Sequence, residues 1–260
     1  MKALFFDVDG TLVDIKNHKV PESAMIAIRE ARQNGNKIFI ATGRSHTFLD
    51  LDGLPKELID GYVTLNGAVC LAEGKEISMT KIPAETVRAL VDVCILEGFT
   101  CLFVTMEGMI VANPDQDFRI GFQEYFKLGP VPVTDFSSML DKNIYQMTVF
   151  FDDDTEKKLK PLFPDLEFNR WFPTFADITC KGVNKAAGIE TMARHYNIAM
   201  NDTIAFGDGG NDIPMLKRAA IGVAMGNASD DVKSVADIVT DSVDDNGIFN
   251  LLHSLKIIKG

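Results

Sequence analysis

Short apolar runs, each four or five residues long and each stopped by a polar or glycine-rich turn, punctuate the first third of the chain. Ala3 to Phe6 stops at Asp7, Lys37 to Ala41 stops at Thr42-Gly43-Arg44, and Tyr62 to Leu65 stops at Asn66-Gly67. Runs so short and so apolar predict strands buried on both faces. Between the first two, Met25, Ile28 and Ala31 recur at helical spacing, with Pro21 suited to the first turn and Gly35 to the stop. The last third repeats the rhythm. A helix is predicted from Lys185 to Tyr196, then a strand from Thr203 to Phe206 ending in Gly207-Asp208-Gly209-Gly210-Asn211-Asp212. A short helix, a strand at Ile221 to Ala224, a helix near Asp230 to Val235, a strand at Ile238 to Thr240 and a helix from Gly247 to Leu255 follow. This alternation predicts an α/β fold, a parallel sheet with helices on its faces. Each strand releases its polar residues at its C-terminal end, the edge where open parallel sheets bind ligands.

The middle, from about Ala68 to Cys180, breaks the rhythm. It is rich in Gly and Pro, and its strands, such as Leu102 to Thr105 and Tyr145 to Phe151, are longer and more alternating. That pattern predicts an antiparallel sheet with helices on one face. More than a hundred residues is too long for a loop, so the stretch reads as an inserted second domain. The expected division is residues 1–81 with 182–260 as one discontinuous unit and 82–181 as the insertion. The acidic triplet Asp152-Asp153-Asp154 reads as a solvated turn.

Composition narrows the functional classes. The 260 residues carry 26 Lys+Arg against 37 Asp+Glu, a formal charge of -11. An acidic balance argues against a nucleic-acid groove and against a polybasic membrane patch. No run approaches the ~18 apolar residues needed to span a bilayer. Asp7 interrupts the N-terminal apolar run too early for a signal peptide, so a cytoplasmic protein is expected. The four cysteines (Cys70, Cys94, Cys101, Cys180) show no CxxC pair and are expected as buried small hydrophobes.

Chemistry concentrates at the strand ends. Asp7 and Asp9, spaced i, i+2 directly after a strand, are close carboxylates that need a cation or a shared proton. A hard divalent metal such as Mg2+ suits such oxygens, leaving one Asp as an ionised nucleophile and the other to handle protons. A calcium loop beginning at Asp7 fails on spacing, because the positions that need Gly and Glu hold Leu12 and His18. Asp208 lies in a second acidic turn and is placed to complete a metal site. That turn lacks G-x-G-x-x-G and any following Gly-Lys-Ser/Thr, so it is neither a dinucleotide fingerprint nor a P-loop. Thr42-Gly43-Arg44 and Lys185 offer hydroxyl, amide and ammonium donors for a phosphoryl group.

Taken together these residues resemble the haloacid dehalogenase (HAD) superfamily of phosphatases, Cof type, over essentially the whole chain. The motifs are Asp7-Val8-Asp9-Gly10-Thr11-Leu12, Thr42-Gly43-Arg44, Lys185, and Gly207-Asp208-Gly209-Gly210-Asn211-Asp212. Ala186 stands where the family often has glycine, and Lys181 is the alternative lysine. The resemblance implies a Rossmann-like core with an inserted α/β cap of the C2 type that closes over the active site. It implies Asp7 as nucleophile, forming an aspartyl phosphate, and Asp9 as acid and then base. It further implies phosphate held by Thr42, Gly43, Lys185 and Asn211, and Mg2+ held by Asp7, Asp208 and the Asp9 backbone carbonyl, with Asp212 orienting that shell. Arg44, Asn66 and Arg170 are expected substrate contacts.

The expected activity is Mg2+-dependent hydrolysis of small phosphate monoesters, sugar phosphates first, by a monomer or weak homo-oligomer with no nucleic-acid or membrane partner. A sugar phosphomutase on the same core is the alternative, and a phospho-accepting signalling receiver is a third reading of different class. A receiver would be about half this length and would lack Gly207 to Asp212. The missing membrane spans exclude a P-type pump.

Overall fold

The structure, a computed structural model, describes residues 1–14, 19–46, 49, 51, 53–124 and 129–259; His18 and the side chain of Trp171 lie outside the described residues. The chain divides into two compact units, Met1–Met79 with Asn184–Gly260, and Thr80–Val183. In the first unit β1 (Ala3–Phe6) leads through α1 (Glu22–Gln33) to β2 (Lys37–Ala41) and β3 (Gly61–Thr64). The hairpin of β4 (Val69–Ala72) and β5 (Lys75–Met79) follows. The second unit holds α2 (Ala84–Glu97), β6 (Cys101–Val104), β7 (Met109–Ala112), β8 (Val133–Thr134) and β9 (Gln146–Phe150). It ends with α3 (Asp153–Leu159), β10 (Leu166–Phe172) and β11 (Phe175–Cys180). The chain then re-enters the first unit with α4 (Lys185–His195), β12 (Thr203–Gly207), α5 (Ile213–Arg218) and β13 (Ile221–Ala224). It finishes with α6 (Asp230–Lys233), β14 (Ile238–Val239) and α7 (Gly247–Ser254).

The first sheet runs β14-β13-β12-β1-β2-β3-β4-β5, parallel through β3 and antiparallel at β4 and β5. Its centre is β1, whose four residues are wholly buried because both faces are covered. Leu4 and Phe6 point to one side with Ile38, Ile40, Ile204 and Phe206, where α1 and α7 supply Ala27, Ile28, Leu251 and Leu252. Ala3 and Phe5 point to the other, with Phe39, Ala41 and Ala205, where α4 and α5 supply Ile189, Met192, Met215 and Leu216. Ring stacks between neighbouring strands tie the register, Phe5 on Phe39 at 4.7 Å and Phe6 on Phe206 at 4.8 Å. From β1 the chain winds outward to β2 and β3, and on its return it winds the other way from β12. The C-terminal end of β1 is therefore a topological switch point, where an open sheet leaves a crevice.

The first strands after Ala68 are antiparallel as the pattern suggests, and they extend the first unit's sheet, within the 1–81 expected for that unit. Glu73 and Gly74 both take positive φ (51° and 71°), the two-residue turn whose twist suits a tight hairpin. The acidic triplet is a helix start and not a turn. The Asp152 carboxylate accepts from the Thr155 N–H at 2.9 Å, and Asp153 and Asp154 occupy the first turn of α3. There they meet the positive end of the helix dipole.

The second unit's sheet runs β10-β11-β9-β6-β7-β8, antiparallel except where β8 joins β7. One face packs Cys101, Phe103, Met147, Val149 and Ile178 against Val87, Leu90, Val91 and Cys94 of α2 and Leu159 of α3. All four cysteines are free thiols, three of them buried and Cys180 half-buried. Among the described residues no helix is long and apolar enough to cross a membrane.

Candidate active site

Asp7 continues β1 by one residue, its N–H donating to the Phe206 carbonyl at 3.0 Å, so its side chain emerges at the sheet's C-terminal edge. The chain then folds back tightly, with the N–H groups of Leu12 and Val13 both donating to the Val8 carbonyl (3.0 and 2.8 Å). Gly10 makes this possible: its φ is +83°, and a Cβ there would lie 2.2 Å from the Asp208 carboxylate. Thr11, in the same turn, donates its hydroxyl to Asp208 Oδ1 at 2.8 Å.

Lys185 opens α4, whose start is fixed by the Asn184 side chain accepting from the Ala187 N–H at 3.0 Å. The Lys185 side chain is fully buried, and its ammonium donates to Asp7 Oδ1 at 2.5 Å and Asp212 Oδ1 at 2.6 Å. The other Asp212 oxygen accepts from the Asp208 and Gly209 N–H groups at 3.0 and 2.9 Å. This network turns β12 into the short helical turn that carries the second acidic motif. Lys181, the alternative lysine, is exposed and belongs to the second unit.

One oxygen from each of Asp7, Asp208 and Asp212 lies within 4.8 Å of the others. Three carboxylates against one ammonium leave the cluster two negative charges in excess. Burial, and next the Asp212 charge, raise the Asp7 carboxyl well above its ordinary range, although Lys185 opposes this. Burial likewise lifts Asp208 to about 6, against the Thr11 hydrogen bond. Burial alone would push the Lys185 ammonium down, yet Asp212 and Asp7 outweigh it and hold the group above its ordinary value. An all-oxygen, doubly negative pocket fits a hard dication, which would relieve the crowding that raises these carboxyls.

Beside the acids, Thr42 is buried at the end of β2, and its hydroxyl oxygen accepts from the Arg44 N–H at 3.1 Å. Its backbone carbonyl accepts from the Asn66 N–H, also at 3.1 Å. Leu65 and Asn66 follow β3 in the left-handed region (φ 51° and 52°), an uncommon conformation for leucine. This turn brings Asn66 Oδ1 to accept from Asn211 Nδ2 at 3.1 Å and sets the side chain beside Gly43. Thr42, Gly43, Asn66 and Asn211 thus meet along one edge.

Asp9 stands apart from the acid cluster. Its side chain is half exposed, and both oxygens accept from Arg44, through Nε at 2.8 Å and through a closer Nη2 contact. Arg44, expected against substrate, is therefore engaged with Asp9. Arg170 is engaged within the second unit. Its Nε donates to Glu156 Oε2 at 2.7 Å, and its remaining nitrogens donate to the carbonyls of Phe151, Asp152, Phe172, Pro173 and Phe175. These bonds join α3 to the β10–β11 turn.

Thr11 and Asn227 support the site from outside the expected set: Thr11 bonds Asp208, and the Asn227 amide donates to the Gly10 carbonyl at 2.8 Å while its oxygen accepts from the Val243 N–H at 3.1 Å. Asn227 follows β13 at the same C-terminal edge, so the strand-end rule that singles out Asp7 and Asp208 also reaches it.

Residues 4–252 match the haloacid dehalogenase-like hydrolase family. YkrA of Bacillus subtilis (strain 168), named provisionally as a phosphatase, is 32% identical over 99% of both chains. The HAD subclass IIB sugar phosphatase BT4131 is 41% identical, with a TM-score of 0.89 over 99% of this chain and 100% of its own. The HAD phosphatase BT1666 from Bacteroides thetaiotaomicron is 39% identical, with a TM-score of 0.92 over 99% and 96%. The chain belongs to the haloacid dehalogenase-like hydrolases, and is a phosphatase of their Cof type, subclass IIB.

Proposed function

We propose that the protein hydrolyses phosphate monoesters of small metabolites, sugar phosphates first, through an aspartyl phosphate on Asp7. The observation that carries this reading is the position of Asp7, at the crevice edge of β1, with one oxygen on Lys185 and with Asp208 and Asp212 within 4.8 Å. The free Asp7 oxygen attacks phosphorus, and the bond from phosphorus to the leaving oxygen breaks as Asp9 gives that oxygen a proton. Asp9 then takes a proton from water, whose oxygen attacks phosphorus, and the phosphorus–Asp7 bond breaks. A carboxylate with both oxygens accepting from Arg44 has no proton to give, so the Asp9–Arg44 pair opens during turnover.

Thr42, the Gly43 amide, Lys185 and Asn211 hold the phosphoryl oxygens. Mg2+ is the dication for which Asp7, Asp208 and the Asp9 carbonyl are the ligands, with Asp212 fixing the turn that carries Asp208. When bound it supplies the positive charge that lets two anions meet. The inserted unit selects the substrate, and the four free thiols support the cytoplasm as the place of work. Phosphate release from a panel of monoesters, with and without Mg2+, tests the reading: it predicts release only with the ion, and release undiminished by chelator contradicts it.

A further inference from the structure

Three consecutive residues after β3 hold positive φ: Leu65 at 51°, Asn66 at 52° and Gly67 at 99°. Residues with side chains enter this region at a cost, and a run of them persists only where the surroundings hold it. Here they do. The Thr42 N–H donates to the Val63 carbonyl at 2.8 Å, and the Leu65 and Asn66 N–H groups donate to the carbonyls of Arg44 and Thr42, both at 3.1 Å. A Cβ on Gly67 would lie 2.3 Å from the Asn184 carbonyl oxygen, so the turn also abuts the residue before Lys185. One turn thus touches the segment at Thr42–Gly43, the start of α4 and, through the Asn66 side chain, Asn211.

The Asn66 amide spans two of these segments. Its Oδ1 accepts from Asn211 Nδ2, and the amide lies on Gly43, where a Cβ would come within 3.3 Å of Oδ1 and 3.4 Å of Nδ2. Asn211 itself is an exposed side chain on the glycine-rich turn after β12. Holding an exposed side chain in one direction costs rotamer freedom, and a bond made in advance removes that cost from the step that needs it. Asparagine favours the left-handed region, so backbone preference alone is the plain alternative. Leu65 argues against it: a leucine takes the same φ one residue earlier, so tertiary bonds and not side-chain preference dictate the turn. The amide at position 66 has a task of its own.

We propose that Asn66 is a positioning residue, whose side chain fixes the Asn211 amide against the Gly43 edge so that both meet the transferring phosphoryl group together. The inference rests on the phosphatase reading and adds to it a residue that acts through Asn211. Phosphoryl transfer depends mostly on donors placed around the phosphoryl oxygens, and a small misplacement lowers the rate steeply. The phosphoryl group is common to every ester, so a residue that serves it affects all esters alike. A residue that touches the leaving group discriminates among them.

The test is a double-mutant cycle in the full-length protein: Asn66→Gly, Asn211→Ala and the two combined, assayed with Mg2+ on several sugar monophosphates and on p-nitrophenyl phosphate. Glycine takes a left-handed φ without steric cost, so Asn66→Gly removes the amide and keeps the turn. Its kcat is expected to fall about tenfold with KM held within about threefold, by the same factor for every ester. Orthovanadate, which carries no leaving group, should inhibit it about tenfold more weakly. In Asn211→Ala protein the further change at position 66 should lower kcat by less than about twofold, because the residue it acts through is gone. Asn66→Ala, which stiffens the backbone where glycine loosens it, should match Asn66→Gly; a loss in only one of the two traces to the backbone and overturns the role. Full activity in Asn66→Gly, or a loss that multiplies with that of Asn211→Ala, also overturns it. So does a loss confined to some esters with vanadate inhibition intact, which marks a contact with the leaving group. No turnover of any ester by the unmodified protein would instead overturn the phosphatase reading, a result separate from the cycle.

Discussion

Lys185 is the residue on which the site's electrostatics turn. Its ammonium is the one cation that the described residues place within the cluster of Asp7, Asp208 and Asp212. Lys185→Met should therefore act twice, removing a phosphate ligand and leaving buried carboxylates uncompensated. Thermal melts of the metal-free variant are expected to show a loss of about 3–5 kcal/mol, the range for breaking a buried ion pair from one side, and Mg2+ should restore part of it. Asp208, with Asp7 raised in the same direction, contributes to the pH dependence. With its carboxyl raised to about 6 in the fold, chiefly by burial, its contribution to stability is fully present below the ordinary 3.8 and is lost as pH rises through about 6. A bound dication reverses that sign by favouring the ionised form. The rise in melting temperature caused by Mg2+ should accordingly be small at about pH 5 and grow through pH 6 to 7, and a flat profile would contradict it. Arg44→Ala frees Asp9, and the expected outcome is an altered pH dependence of kcat, measured beside Arg44→Lys, which keeps the charge but not the two-pronged contact.

Elements carry these groups because apolar runs carry the elements. Truncating Phe6, fully buried and stacked on Phe206, should cost about 3–5 kcal/mol in chemical denaturation. Since Asp7 is its neighbour, activity should fall even where the protein stays folded. β1 and β2 span the residues the pattern indicates, Ala3–Phe6 and Lys37–Ala41, because a run buried on both faces admits few other readings. The strands at β12 and β13 are legible for the same reason. The β4–β5 hairpin is less legible, since periodicity reports that a strand is half-buried and not which sheet it joins. A run of acids such as Asp152 to Asp154 is as soluble in a turn as at a helix start, and only the bond to the Thr155 N–H separates the two. The helical turn at Asp117–Glu124 has no simple periodicity to announce it.

At the scale of the whole molecule, residues 7, 42, 66, 185, 208 and 211 come to one crevice because the sheet winds both ways from β1. Motif order made the identities of these residues legible in advance, but their partners are tertiary facts. Nothing in the local sequence pairs Arg44 with Asp9, folds Arg170 into its own unit or brings Asn227 to Gly10. The net charge of -11 also becomes intelligible at this scale. An acidic chain binds an anion because local groups reverse the sign: a doubly negative cluster gathers a dication, and the dication with Lys185 receives the phosphate. The central claim is that Asp7 takes the phosphoryl group. Rapid-quench peptide mass analysis during turnover with Mg2+ tests it most directly, using the unmodified protein and Asp7→Asn. The account predicts one phosphoryl group on the peptide bearing Asp7, absent from Asp7→Asn, which also loses activity by about 10⁴-fold or more. Phosphate on another residue, or full turnover by Asp7→Asn, would contradict it.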